Sequence, residues 1–240
     1  MPMKINEIID TLRSAGSPEN VAGMARYGIF TQEAYGAPSA VLEQLARRIG
    51  RNHELAQRLW RTGNHDVRVL AALIEEPVRV TRSQMDRWAK DFDNWAICDC
   101  CCTHLFDRTP FAWNKAQQWS KRSEEYVRRA GFSMMAVLAV HDKEAADDRF
   151  LRLLPLVKAG ATDERKYVRK AVNWALRSIG KRNPRLNRAA LRTASEIHGL
   201  DSRAARWTAS DARRELASAA VQERLKSKGR RTKSRRQSRA

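Results

Sequence analysis

The chain has 240 residues and carries 46 Lys and Arg against 27 Asp and Glu, a formal net charge of +19 with a sequence pI near 10.6. It is long enough to bury a substantial core, as one large domain or a repeat array. No run of about 18 uninterrupted apolar residues exists, which excludes a membrane-spanning helix, and the amphipathic, acid-bearing start MPMKINEIIDTLRSAG is unlike a secretory signal.

In chain order, helix follows helix. The first candidates are PSAVLEQLARRIG (38–50), HELAQRLWRTG (53–63), HDVRVLAALI (65–74) and SQMDRWAKDF (83–92). NWAICDCCCTHLF (94–106), PFAWNKAQQWSK (110–121) and EEYVRRAGFSMMAVLAVH (124–141) come next. The last are DDRFLRLLPLVKAG (147–160), DERKYVRKAVNWALRSIG (163–180), LNRAALRTASEIHG (186–199) and SRAARWTASDARRELASAAVQERL (202–225). Apolar residues recur at three and four positions, as in Val168, Ala171, Val172, Ala175 and Ile179. Gly50, Gly63, Gly160, Gly180 and Gly199 stand where helices would end, Pro110 opens one, and Thr81 with Gln84 fits a capping box. No segment reads as a strand.

The remainder, KSKGRRTKSRRQSRA (226–240), has eight basic residues and no acid, and is expected to be a disordered tail that touches phosphate without selectivity. Residues 1–225 still hold +11 without it. A folded body this basic fits a polyanionic partner, nucleic acid above all, because binding releases condensed counterions.

Short loops between paired helices suggest an array. Asp66-Val67-Arg68-x-x-Ala71 has the look of a HEAT repeat's second helix, and Tyr126-Val127-Arg128-Arg129-Ala130 is echoed 41 residues later by Tyr167-Val168-Arg169-Lys170-Ala171. The expected fold is all-α, a HEAT- or armadillo-like α-solenoid over residues 1–225 with an extended basic surface on its concave side. A compact helical bundle is the alternative.

The densest stretch is FDNWAICDCCC (92–102), which holds every cysteine of the chain. A structural zinc site wants its ligands in separated pairs, whereas Cys98, Cys100, Cys101 and Cys102 on one helix point in different directions. No metal or disulfide is expected, and the thiols read as small apolar packing groups. Asp93 would support the helix start. Trp95 and Asp99 stand at i and i+4, an indole and a carboxylate on one face. Arg129, Trp174 and Tyr27 occupy comparable places on other helices, although periodicity alone would read each as core or ion pair.

Together the motifs W-x-x-x-D, R-R-A and K-A-x-x-W-A-L-R, with GMARYGI and YGAPSAVLEQLARRIG near the start and KYVRKAVNWALRSIGKRNP later, resemble the AlkD-type alkylpurine DNA glycosylases of the DNA alkylation repair family. The resemblance runs from about residue 20 to 225. It implies a HEAT-like solenoid that cradles double-stranded DNA and releases N3- and N7-alkylated purines without drawing the lesion into a pocket. It matches Asp99 to the catalytic aspartate, Trp95 and Trp174 to the two cleft aromatics, and Arg129 to the arginine near the lesion-strand phosphate. Tyr27 matches a tyrosine that approaches DNA. Arg128, Arg169, Lys170, Lys181 and Arg182 are the accompanying candidate DNA contacts. Ala96 departs from the pattern, since a second acid often follows the first aromatic. The implied protein needs no metal or organic cofactor, acts as a monomer and sits in the cytoplasm with the nucleoid. The rival expectation is a non-catalytic HEAT-repeat protein that recognises bent, damaged or branched DNA.

Overall fold

In the computed structural model the described residues, 3–227, form an all-α, HEAT-like fold with no strand. The expected tail lies, from 228 onward, outside the described residues. No helix among the described residues is long and apolar enough to cross a membrane. These residues divide into two compact units, the first ending at Ala112 and the second opening at Trp113.

The first unit contains α1 (Ile5–Ala15), α2 (Pro18–Arg26), α3 (Ser39–Ile49), α4 (His53–Trp60), α5 (His65–Ile74), α6 (Arg82–Lys90) and α7 (Trp95–His104). α5 shows why the sequence folds this way. Val67, Leu70, Ala71 and Ile74 recur at three and four positions and are fully buried, and Asn64 caps the start by accepting from the backbone N–H groups of Asp66 and Val67. The core is aromatic: the Trp60 and Trp88 rings stack at 3.9 Å, with Phe92 edge-on to Trp60 at 6.3 Å. Beneath α4 the Glu75 carboxylate is fully buried and accepts from Gln57, Gln84 and the Glu76 backbone, with the His53 ring at 2.7 Å. This costs the expected capping box its second half. Thr81 accepts from the Gln84 backbone at 3.1 Å, but the Gln84 side chain goes to Glu75 rather than back to the cap.

The second unit contains α8 (Ala112–Trp119, whose first residue ends the first unit), α9 (Glu125–His141), α10 (Asp147–Leu151) and α11 (Leu154–Gly160). α12 (Lys166–Gly180), α13 (Pro184–His198) and α14 (Arg203–Leu216) follow, and the chain is again helical over 219–227. The repeat seen in the sequence lies on α9 and α12. Val127, Ala130, Val168 and Ala171 are all buried, and the Tyr126 and Tyr167 rings meet at 6.0 Å.

Three expected helices are shorter than their periodicity suggests. The run 147–160 breaks into α10 and α11 because Pro155 has no N–H and its ring crowds the preceding turn. The run from 163 starts only at Lys166, since the Asp163 carboxylate accepts from both the backbone and the guanidinium of Arg165 and holds a turn there. The run 202–225 stops at Leu216, whose carbonyl accepts from the Asn187 and Gln222 side chains.

Charge divides as sharply as packing does. The first 112 residues contain 14 basic and 14 acidic side chains, and the remaining 128 contain 32 basic and 13 acidic. The whole net charge of +19 therefore belongs to the second unit's part of the chain.

Candidate functional site

In the first unit the site is built on α7. Asn94 caps it, accepting from the backbone N–H groups of Ala96 and Ile97, and its amide in turn lies 2.7 Å from the Asp93 carboxylate and 3.2 Å from Nδ1 of the buried His65. Asp93 thus supports the helix start through the cap rather than as the cap. Burial holds the His65 imidazole below its ordinary value, against the pull of the Asp66 and Asp93 carboxylates. It is neutral at pH 7 and can accept from Asn94.

Trp95 opens the helix and Asp99 follows one turn later. Both are half-buried and share one face. The Trp95 indole N–H donates to the backbone carbonyl of Tyr27 at 3.1 Å, which ties the first turn of α7 to the segment after α2. That segment is itself fastened down. The Asp66 carboxylate accepts from the backbone N–H groups of Tyr35 at 2.7 Å and Gly36 at 3.0 Å. Asn20 donates to the Gly36 carbonyl and the His65 backbone to that of Glu33. Gly36 has φ +73, and a Cβ there would lie 2.7 Å from the Ser17 carbonyl oxygen, so only glycine fits. The Tyr27 side chain remains 76% exposed.

Asp66 marks the repeat in the sequence. In the fold it anchors the strap that holds Trp95. Asp66→Ala should leave two largely buried N–H groups unpaired, at about 1–3 kcal/mol each. The expected result is a lowered urea midpoint and faster proteolysis within residues 27–38. An unchanged midpoint would remove Asp66 from this role.

A groove of about 700 Å³ runs along Ala96 and Cys100 of α7, the residues directly after Trp95 and Asp99, along His104 one turn on from Cys100, and along Leu42 of α3 and Val69 of α5. With alanine rather than an acid at 96, its wall there is apolar. The four cysteines are free thiols. Among the described residues no three His, Cys, Asp or Glu side chains gather as a metal would require. Burial, and then the Asp99 carboxylate, push the Cys100 thiol up to about 12. Burial likewise raises Cys101 and Cys102 well above the ordinary range. The thiolate is the nucleophile, so at pH 8 the native protein should react with iodoacetamide far more slowly than the urea-unfolded chain. Rapid labelling of native Cys100 would contradict this.

In the second unit most of the candidate cations are occupied within the chain. Arg129 is 6% exposed and donates to the Tyr167 carbonyl at 2.6 Å. Arg128 lies 3.3 Å from the Asp163 carboxylate. Lys181 donates to Glu215 at 2.6 Å. Arg182 donates to the carbonyls of Ala139, Lys143 and Ala145, and burial lowers its pKa. The Arg169 guanidinium sits 4.8 Å over the Trp207 ring. Lys170 is exposed on α12, with Trp174 half-exposed one turn later. The fold therefore brings Tyr27, Trp95 and Asp99 together in the first unit, and Lys170 and Trp174 together in the second.

Sequence reasoning passed over Asn94, although an Asn directly before an apolar-periodic helix is an N-cap signal. It also passed over Trp207, which the Arg-x-x-Arg-Trp spacing of α14 could have flagged.

The family described as DNA alkylation repair enzyme matches residues 8–216. The chain belongs to that family. Its family match spans both compact units. The fold is also similar to a solved structure described as "A new family of proteins related to the HEAT-like repeat DNA glycosylases with affinity for branched DNA structures", with a TM-score of 0.73 and 22% identity over 81% of this chain and 83% of that one. No curated protein sequence matches.

Proposed function

We propose that the protein is a DNA glycosylase that hydrolyses the N-glycosidic bond of cationic N3- and N7-alkylated purines in double-stranded DNA. The observation that carries this reading is the Trp95–Asp99 pair, held on one turn of α7 by the Asn94 cap and the Trp95–Tyr27 hydrogen bond, in a chain of the alkylation repair family.

The chemistry suits so small a set. An alkylated purine already carries positive charge, so its leaving needs no general acid. Water adds to C1′ as the bond from C1′ to the purine breaks. The bonding pair neutralises the base, and the proton passes to the Asp99 carboxylate or to solvent. Asp99 balances the positive charge that builds on the sugar, as carboxylates do in glycoside hydrolysis. The indole face of Trp95 in the first unit can attract a cationic base or sugar, at about 0.5–2 kcal/mol, and that of Trp174 in the second offers the same kind of surface. Nothing in this scheme calls for a metal or organic cofactor. Tyr27, Lys170 and the exposed arginines of the second unit take the DNA. Arg129, Lys181 and Arg182 donate to protein acceptors and Arg128 pairs with the Asp163 carboxylate, so these four position the helices that present those groups.

A second reading, binding without excision, draws on Ala96 and on the printed description of the structural neighbour, whose family has affinity for branched DNA. One experiment separates them. Duplex DNA containing 7-methylguanine, incubated with the protein, should yield free base. Tight binding without release would favour the second reading.

A further inference from the structure

Of the seven tryptophans, Trp207 on α14 is the most exposed, at 39%. It is not a core residue that happens to show an edge. Arg169 of α12 covers it, with the guanidinium 4.8 Å from the ring centroid, and the Nε of that arginine is buried without a hydrogen-bond partner among the described residues. Apart from Ser210, the rest of the exposed α14 face is cationic: Arg203, Arg206, Arg213 and Arg214 all reach solvent. The acids of this helix are paired: Glu215 with Arg177 and Lys181, and Asp211 with Arg177 and with Arg214 of this face, whose side chain stays 77% exposed. Arg206 has only an exposed contact with Asp201 at 3.4 Å, which contributes little.

An indole lying on a helix and ringed by arginines offers a stacking surface together with phosphate ligands. That pairing is how proteins hold unpaired nucleotides. A base inside a duplex cannot use it, because both of its faces are already stacked. A purely phosphate-binding patch would not need the indole. We infer that Trp207, stiffened by Arg169 and flanked by Arg203, Arg206 and Arg214, binds unpaired bases of single-stranded DNA adjoining a duplex. This rests on DNA being the partner, though not on excision.

The test compares the full-length wild type, Trp207→Ala and Trp207→Phe on three probes: a blunt duplex, the same duplex with a single-stranded thymidine overhang, and free oligothymidine. Circular dichroism and the urea midpoint confirm that each variant folds. The wild type should prefer the overhang probe to the blunt duplex. Trp207→Ala should lose roughly tenfold on the overhang and on oligothymidine but less than about twofold on the blunt duplex, while Trp207→Phe keeps most of the binding. Equal losses on all three probes, or none, would overturn the inference and leave the excision reading standing. So would polyglutamate competing as well as oligothymidine, which would mark a site for acidic protein. No binding to any probe would overturn both readings.

Discussion

Asp99→Asn should lower single-turnover release of 7-methylguanine by roughly a hundred- to a thousand-fold, the usual cost of removing one well-aimed electrostatic contact from a reaction site, about 2.7–4 kcal/mol. The substitution keeps the side chain's shape, so the packing of α7 should not change, and neither Asn94 nor the Trp95–Tyr27 hydrogen bond is touched. What changes is charge. A neutral amide cannot balance the sugar cation or take a proton from the attacking water. Binding should not suffer, because the first 112 residues are charge-neutral, and losing an acid near phosphate should tighten it slightly. An independent readout comes from Cys100. The Asp99 carboxylate helps to raise that thiol, so Asp99→Asn should make it titrate somewhat lower and alkylate somewhat faster. A variant that shows this local change but still excises at the wild-type rate would remove Asp99 from the mechanism. Trp95→Ala should reduce both excision and the protection of the 27–38 strap, since its indole serves as a face and as a hydrogen-bond donor.

How much of this was legible in the sequence depends on the range of the interaction. α5 is found to the residue because its apolar period is local, and the Asn64 cap that fixes its start stands directly before it. α2 escapes because Pro18–Arg26 buries no residue and so has no apolar period to read. The Trp95–Asp99 pair is legible because four residues on a helix make neighbours. The fate of the arginines is not. Arg129 finds its acceptor 38 residues away, and Arg182 finds three that lie 37 to 43 residues away, so a cation that looks available in sequence is already committed in the fold. Net charge was visible, but its confinement to one unit became visible only when the boundary at Ala112 was known. The groove along Ala96 and Cys100 could not be read at all, since it joins α3, α5 and α7 with the strap after α2. The resemblance matches Asp99 and Trp174 to roles that spacing alone does not assign, and those roles stand as proposals.

Gly131→Ala should destabilise the second unit by about 2 kcal/mol or more, although helix propensity argues the other way. Gly131 lies in the middle of α9, where replacing glycine with alanine ordinarily gains about 1 kcal/mol. Here a Cβ would stand 2.2 Å from the backbone nitrogen of Ser120, and 2.7 Å from both its Cα and the carbonyl carbon of Trp119. Backbone atoms cannot swing aside as a side chain can. The methyl group must therefore push the end of α8 away from α9, and overpacking of this kind costs about 1–3 kcal/mol and sometimes more. The effect should reach function, because α9 packs along α12, which carries Lys170 and Trp174. Gly199→Ala is the matched control. Its nearest atom would be the Glu196 carbonyl oxygen at 3.6 Å, an ordinary contact, and its φ of −76 suits alanine. That variant should be neutral or gain about 0.4–1 kcal/mol. Urea unfolding of the two variants beside the wild type decides the matter: a Gly131→Ala midpoint at or above that of Gly199→Ala would mean that α8 and α9 do not approach as closely in solution as the fold requires.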